Sequence, residues 1–211
     1  MPRVESFEKN VDKYEAWFER NRAAYESELE ALRALLPKGG EGLEVGVGTG
    51  RFAAPLGVRV GVDPAKAMGK LAMERGIEVR FGVGEELPCE DSSFDFVLLV
   101  TTICFLDDVP SALGEAYRVL KSGGYIIVGF IDRESSLGNF YEQRKQENEF
   151  YRDATFLSVD EVVHYLKQVG FRDFVFCQTI FQNPTEMKQA DQVRSGYGEG
   201  SFVVVRGKKF P

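Results

Sequence analysis

The stretch that decides the fold is LEVGVGTG, Leu43 to Gly50. An apolar run ends in three glycines, Gly46, Gly48 and Gly50, with the carboxylate of Glu44 two residues ahead of the first. Glycine lets a chain turn sharply and lets a backbone come close to a bound molecule. In an open α/β sheet, ligands sit beyond the carboxyl ends of the strands. The stretch therefore reads as a first strand that closes into a ligand-contacting turn.

The ligand is constrained by how the turn differs from a dinucleotide fingerprint, which spaces its glycines G-x-G-x-x-G and places a pyrophosphate on the following helix. Here the third glycine comes one residue early, Pro55 and Gly57 cut the next helix short, and Glu44 sits where an anion is unwelcome. The turn suits a ligand without phosphate. Asp63 ends GVD, 17 residues beyond Gly46, at the tip of the next strand, where a carboxylate accepts from both hydroxyls of a ribose. Taken alone, the glycines also fit the alternative of a tight turn packing helix on strand.

Outward from this turn, the chain alternates β-like and helical runs. RVGVD is followed by a helix over Pro64 to Arg75, then EVRFG, FDFVLLV, a helix over Pro110 to Leu120, a KSGG turn and YIIVGFI. The uninterrupted apolar character of the last suits a parallel strand covered on both faces, and the order is the βαβ rhythm of a doubly wound sheet. Upstream, Phe7, Val11, Tyr14 and Phe18, then Tyr25, Leu29, Leu32 and Leu36, recur at helical spacing on either side of Asn21-Arg22, predicting two amphipathic helices. Downstream, Ser158 with Glu161 forms a capping box. FRDFVFCQTIF and SFVVVRG have no helix between them and are expected to pair antiparallel. The loop from Gln182 to Gly200 reads as the most flexible segment.

With 211 residues, 44% of them hydrophobic, the chain is expected to form one domain. Acidic residues outnumber basic ones 33 to 26, for a net charge of -7, which disfavours nucleic acid and anionic membranes as partners. Arg206, Lys208 and Lys209 read as a solvated terminal cluster. Cys89, Cys104 and Cys177 lack CxxC spacing and ligand neighbours, so neither a disulfide framework nor a metal site is expected. The absence of a long apolar run predicts a soluble, unprocessed, cytoplasmic chain. His164, the only histidine, has no GxSxG partner, which argues against a Ser-His-Asp hydrolase; it reads as a surface or half-buried helix residue. Cys104 reads as a small buried hydrophobe. Asp107 and Asp108 read as capping the next helix, with an acceptor contact or general-base role as the alternative.

LEVGVGTG, GVDPAKAM, GEELPCEDSSFDFVLL and EAYRVLKSGGYIIVGF, in that order, resemble the class I S-adenosylmethionine-dependent methyltransferases. The likeness is close over about residues 41–131 and looser through FLSVDEVVHYLKQVGF and the terminal strands. It implies a doubly wound, Rossmann-like, mostly parallel seven-stranded sheet with an antiparallel C-terminal strand pair and N-terminal helices. The single methyltransferase domain, 1–211, would divide into an N-terminal helical lid (1–36), a cofactor-binding core (41–131), an acceptor-side insertion (132–157) and a C-terminal helix and strand pair (158–211). The implied cofactor is S-adenosyl-L-methionine. Glu44 and the turn at Gly46, Gly48 and Gly50 would cradle its methionine part, Asp63 would bind the ribose, and Pro64 and Met68 would flank the adenine. Gly84 and Glu85 would lie at the adenine edge, and Thr101 and Thr102 beside the sulfonium and the acceptor. Many relatives read Gly-Asp-Ala-Glu where this chain has Gly82-Val83-Gly84-Glu85, so Glu85 or Glu86 would have to replace the usual acidic acceptor.

The donor in such a reaction is already activated, so alignment and water exclusion matter most and no catalytic residue is assigned. The Asn/Asp-Pro-Pro-aromatic tetrad of relatives that methylate amides or adenine amines is absent from Val100-Thr101-Thr102-Ile103. A small-molecule acceptor is expected, held by Tyr14, Trp17, Phe18, Tyr25, Phe140 and Tyr141, each of which packs a helix on the core in the alternative reading. A protein that binds S-adenosylmethionine or S-adenosylhomocysteine without transfer, and a nicotinamide or nucleotide-sugar oxidoreductase, are the competing functions; the glycine spacing disfavours the latter. The acceptor and the oligomeric state stay open.

Overall fold

The computed structural model describes residues 4–210. The first three residues of the expected lid and the last of the C-terminal unit lie outside the described residues. Five strands run parallel: β1 (Gly42–Val45), β2 (Val60–Asp63), β3 (Glu78–Phe81), β4 (Phe94–Val100) and β5 (Leu120–Ile131). Three more, β6 (Arg172–Thr179), β7 (Arg194–Ser195) and β8 (Phe202–Lys208), are antiparallel to their neighbours, and the spatial order is β3-β2-β1-β4-β5-β8-β6-β7.

The sheet has eight strands where seven are expected from sequence. The extra one is β7, two residues in the Gln182–Gly200 loop that pair with Cys177 and Gln178 at the sheet edge. That loop is also tied down elsewhere: Asp191 accepts from the Phe181 amide, and Gln178 Oε1 accepts from the amides of Glu199 and Gly200.

The apolar runs are long because both faces of the sheet are covered. Val97 and Leu99 of β4 point to one face, with Leu43 and Val128, and pack against Leu113 of α6 (Val109–Val119) and Leu166 of α8 (Val159–Val169). Phe96 and Leu98 point to the other, with Ile127 and Val204, and meet Leu29, Leu32 and Leu35 of α3 (Arg22–Leu35). This is the two-residue alternation of a strand seen on both sides. Ser158 and Glu161 form the expected capping box on α8, and Asp108 caps α6 through the Ser111 amide.

Three helices, not two, precede the sheet: α1 (Glu5–Lys9), α2 (Val11–Arg20) and α3. The added break falls at Asn10, whose side chain donates to the Ser6 carbonyl just as Asn21 donates to that of Trp17. An asparagine that bonds the preceding turn competes with helix continuation. The KSGG turn is also absorbed into structure: β5 begins at Leu120 and carries an irregularity there, its pairing with β4 shifting between Phe94 and Phe96. Arg206, Lys208 and Lys209 do not form a solvated terminus. Arg206 lies over the Tyr125 ring and bonds the Leu35 carbonyl, and Lys209 bonds the carbonyls of Tyr117 and Leu120. Lys208 lies over the Phe210 ring.

Candidate functional site

Strand order reverses between β1 and β4, so their carboxyl ends open a crevice at the switch point of the sheet. Gly46 leaves β1 with φ +72° and donates to the Val62 carbonyl at 2.8 Å; a Cβ there would lie 2.4 Å from the Thr102 side chain. Gly48 has φ +52°, and a Cβ on it would reach toward the Tyr14 hydroxyl at 3.3 Å. Gly50 instead faces Ala72 of α5 (Lys66–Glu74), packing helix on turn outside the cavity wall. The following helix, α4 (Ala53–Leu56), is a single turn stopped at Gly57, as Pro55 and Gly57 predict.

Asp63 closes β2 with both carboxylate oxygens engaged from one side: Oδ2 accepts from the Gly48 amide at 2.7 Å and Oδ1 from the Ala65 amide at 2.8 Å. Each oxygen keeps a lone pair for a further donor. Burial pushes the carboxyl up to about 6 against the pull of the Ala65 and Gly48 amides. Glu44 lies deeper. It is buried in the middle of β1, off the cavity wall, with Oε2 left without a partner, and burial raises its carboxyl well above the usual range despite the Ala53 amide.

Gly46, Gly48 and Asp63 border a cavity of about 1170 Å³, lined also by Pro64, Met68, Val83, Gly84, Thr101 and Thr102. Thr101 sits at the end of β4 with φ +50°, a left-handed conformation that costs a β-branched residue strain and marks the site. Thr102 turns its hydroxyl to the Val100 carbonyl at 3.0 Å. Glu85 borders the cavity, but its Oε1 accepts the Asp107 and Asp108 amides at 2.8 and 3.2 Å, so it holds the loop before α6; Glu86 is exposed and off the wall.

Of the six aromatic acceptor residues expected from sequence, Tyr14, Trp17, Phe18 and Tyr141 line the cavity. Tyr25 does not: its hydroxyl donates to the Arg51 carbonyl and its ring packs on Phe18 and Phe52. Phe140 does not either; on α7 (Ser136–Arg144) it is half exposed, under the Arg144 guanidinium. His164 is exposed and Cys104 buried.

The structure adds residues that no sequence motif marks. Phe7, Phe105, Phe150 and Tyr151 join Tyr14 and Tyr141 in a chain of ring contacts, with centroids between 4.9 and 6.2 Å apart, that roofs the cavity from α1 to the segment after α7. Glu8 of α1 accepts the first amides of α5, Lys66 and Ala67. Glu15 of α2 takes Thr49, Arg51 and Arg75 together. Glu28 of α3 is buried on the wall. Its signal in the sequence is its place on the apolar stripe, three residues from Tyr25 and four from Leu32.

A switch-point crevice, a buried strand-end carboxylate with lone pairs to spare and a tight glycine turn define a ligand-binding α/β protein of the doubly wound class. The relatives sharpen this. Residues 43–128 match the family model described as a methyltransferase domain. An uncharacterized protein of Methanocaldococcus jannaschii is 47% identical, the match covering 96% of this chain and 98% of that one. The crystal structure of a Thermotoga maritima protein, named a SAM-dependent methyltransferase and possible histamine N-methyltransferase, is 51% identical with a TM-score of 0.96, covering 98% of this chain and 99% of that one. A ubiquinone biosynthesis O-methyltransferase of Bradyrhizobium is 31% identical over 71% of this chain and 61% of its own. The chain belongs to the class I S-adenosylmethionine-dependent methyltransferases. Among the described residues, no helix is long and apolar enough to cross a membrane.

Proposed function

We propose that the protein transfers the methyl group of S-adenosylmethionine to a small-molecule acceptor. The observation that carries this reading is Asp63, at the carboxyl end of β2 beside the switch point, on a cavity of about 1170 Å³. That is larger than the roughly 300–1,000 Å³ of a single-ligand pocket, which leaves room for a second small molecule beside the cofactor. The residues on the wall fit the cofactor: Asp63 has lone pairs for two ribose hydroxyls, and Met68 and Pro64 offer an apolar wall for the base. Bound there, S-adenosylmethionine supplies a methyl group on a sulfonium.

The chain's own task is then alignment and exclusion of water. The Gly46–Gly48 backbone shapes the floor, Thr101 and Thr102 border it, and the ring roof closes it. On this reading residues 1–36 act as a lid and 132–157 as the acceptor side. The aromatic-roofed space, with room for one small molecule beside the cofactor, favours a small acceptor over a macromolecule.

Calorimetric titration with S-adenosylhomocysteine and with NAD tests the cofactor. The homocysteine ligand is expected to bind far more tightly, and Asp63→Ala to weaken it by tens of fold or more, since each hydrogen bond to a charged group contributes about 1.5–3 kcal/mol. Equal or tighter NAD binding would remove the reading.

A further inference from the structure

Glu28 is the feature of the cavity that cofactor binding leaves unused. Its residue is 4% exposed, it lines the cavity, and no hydrogen bond or ion pair reaches its carboxylate among the described residues. A buried carboxylate without a partner is costly. The same α3 backbone position filled by leucine would pack at no such cost, so a ligand that supplies the missing partner accounts for it.

Position separates Glu28 from the cofactor floor. Its helix packs on β5, β8 and β6, to one side of β1, whereas Asp63 and Met68 come from β2 and α5 on the other side. The groups around it are phenols: Glu28 acts on Tyr14, Tyr141 and Tyr151, and burial, with Glu28 adding to it, pushes Tyr141 up to about 12. Of the cations on the same wall, Lys13 is held by Glu149 at 2.9 Å and Arg20 bonds the Ala16 carbonyl, and among the described residues neither these nor Arg152 forms an ion pair with Glu28. A buried carboxyl ringed by aromatic faces is the complement of a small organic cation, whose charge favours the ionised carboxylate and which gains both the ion pair and cation–π contact.

Resting on the methyl-transfer reading, we propose that the acceptor is an amine, bound with its ammonium on Glu28 and its carbon skeleton among the rings of Tyr14, Phe150, Tyr141 and Tyr151. Glu28 also has the chemistry to prepare the nitrogen. An ammonium has no lone pair to methylate. Passing one N–H proton to a Glu28 oxygen breaks that bond with its electron pair left on nitrogen and forms an O–H on the carboxyl. Burial, which raises Glu28 to about 8, brings it close enough to an amine for this exchange.

The test is calorimetry of 2-phenylethylamine against its isostere 2-phenylethanol, with and without S-adenosylhomocysteine, on the parent, Glu28→Gln and Glu28→Asp. The amine is expected to bind the parent at least tenfold more tightly than the alcohol. Glu28→Gln is expected to erase that preference while leaving S-adenosylhomocysteine affinity unchanged, and Glu28→Asp to restore part of it. No preference for the amine, or a preference that survives in Glu28→Gln, overturns the proposal. Amine preference in a protein that fails to bind S-adenosylhomocysteine supports the cation site and removes the methyl-transfer reading instead.

Discussion

Replacing Glu15 by glutamine tests how the N-terminal helices are fastened over the cavity. The carboxylate takes Arg51 through Nε and Nη2 at 3.0 and 2.6 Å, Arg75 Nη2 at 2.6 Å and the Thr49 hydroxyl, so one side chain of α2 grips the glycine turn and the end of α5. Partial burial alone would raise its carboxyl, but the bonds from Arg51, Arg75 and Thr49 outweigh it and hold it at about 2 instead of 4.5. At about 1.4 kcal/mol per pH unit that difference corresponds to about 3 kcal/mol. The Glu15 side chain is 19% exposed and Arg75 29%, so solvent screening brings it to about 1.5–3 kcal/mol. The sign follows from a lowered folded pKa: the stabilisation is complete above pH 4.5 and is lost as pH falls toward 2. Urea melts are therefore expected to show Glu15→Gln less stable than the parent by that amount at pH 7, with the deficit narrowing steadily below pH 4. Because α2 carries Tyr14 against Gly48, S-adenosylhomocysteine affinity is expected to fall too. Equal urea midpoints at pH 7, or a deficit that ignores pH, would refute the clamp.

Glu28→Gln is expected to move stability the opposite way. Burial lifts the folded carboxyl from 4.5 to about 8, so the parent's contribution is present below pH 4.5 and lost as pH rises to 8, while Tyr14, Tyr25, Tyr141 and Tyr151 stay protonated throughout. Melts at pH 5 and pH 8 are expected to show the variant gaining on the parent by about 2–4 kcal/mol across that interval, allowing for water in the cavity. Gly46→Ala places a Cβ 2.4 Å from Thr102 at a φ of +72°; a loss of about 1–3 kcal/mol of stability and weaker S-adenosylhomocysteine binding are expected, read by urea melt and calorimetry.

The strand-end floor of the cavity was legible because its geometry is local. Gly46, Gly48 and Asp63 stand at strand ends that the apolar runs already mark, and a turn needing positive φ writes itself into the sequence as glycine. The roof was not legible, because it depends on how segments far apart in the chain meet. Phe150 and Tyr151 touch Phe7, Tyr14 and Phe105 only after the sheet has brought the 147–152 segment over α1. Tyr25 and Phe140 carry the same residue type at plausible spacing and turn to other work, one against Arg51 and the other toward solvent. The strand count missed β7 because Arg194–Ser195 has neither length nor apolar alternation, and is a strand only by its pairing with β6. Glu28 was visible as a charge on an apolar stripe, but that pattern alone does not say whether a carboxylate faces a cation, water or a cavity.

The clasp of the N-terminal helices on late segments of the chain sets an order of assembly. Glu8 caps amides 58 and 59 residues ahead of it, and Ser27 of α3 accepts from Asp191, 164 residues further on. At a synthesis rate of roughly 5–20 residues per second, Ser27 waits on the order of 8–30 s for its partner to be made. Through that interval α2 and α3, of 10 and 14 residues, are at or below the length at which a helix holds its shape alone in water. These helices, made before the sheet they cover, are thus among the last elements to reach their final form, and their apolar stripe stays open to chaperones or to neighbouring chains until β6 and β8 arrive.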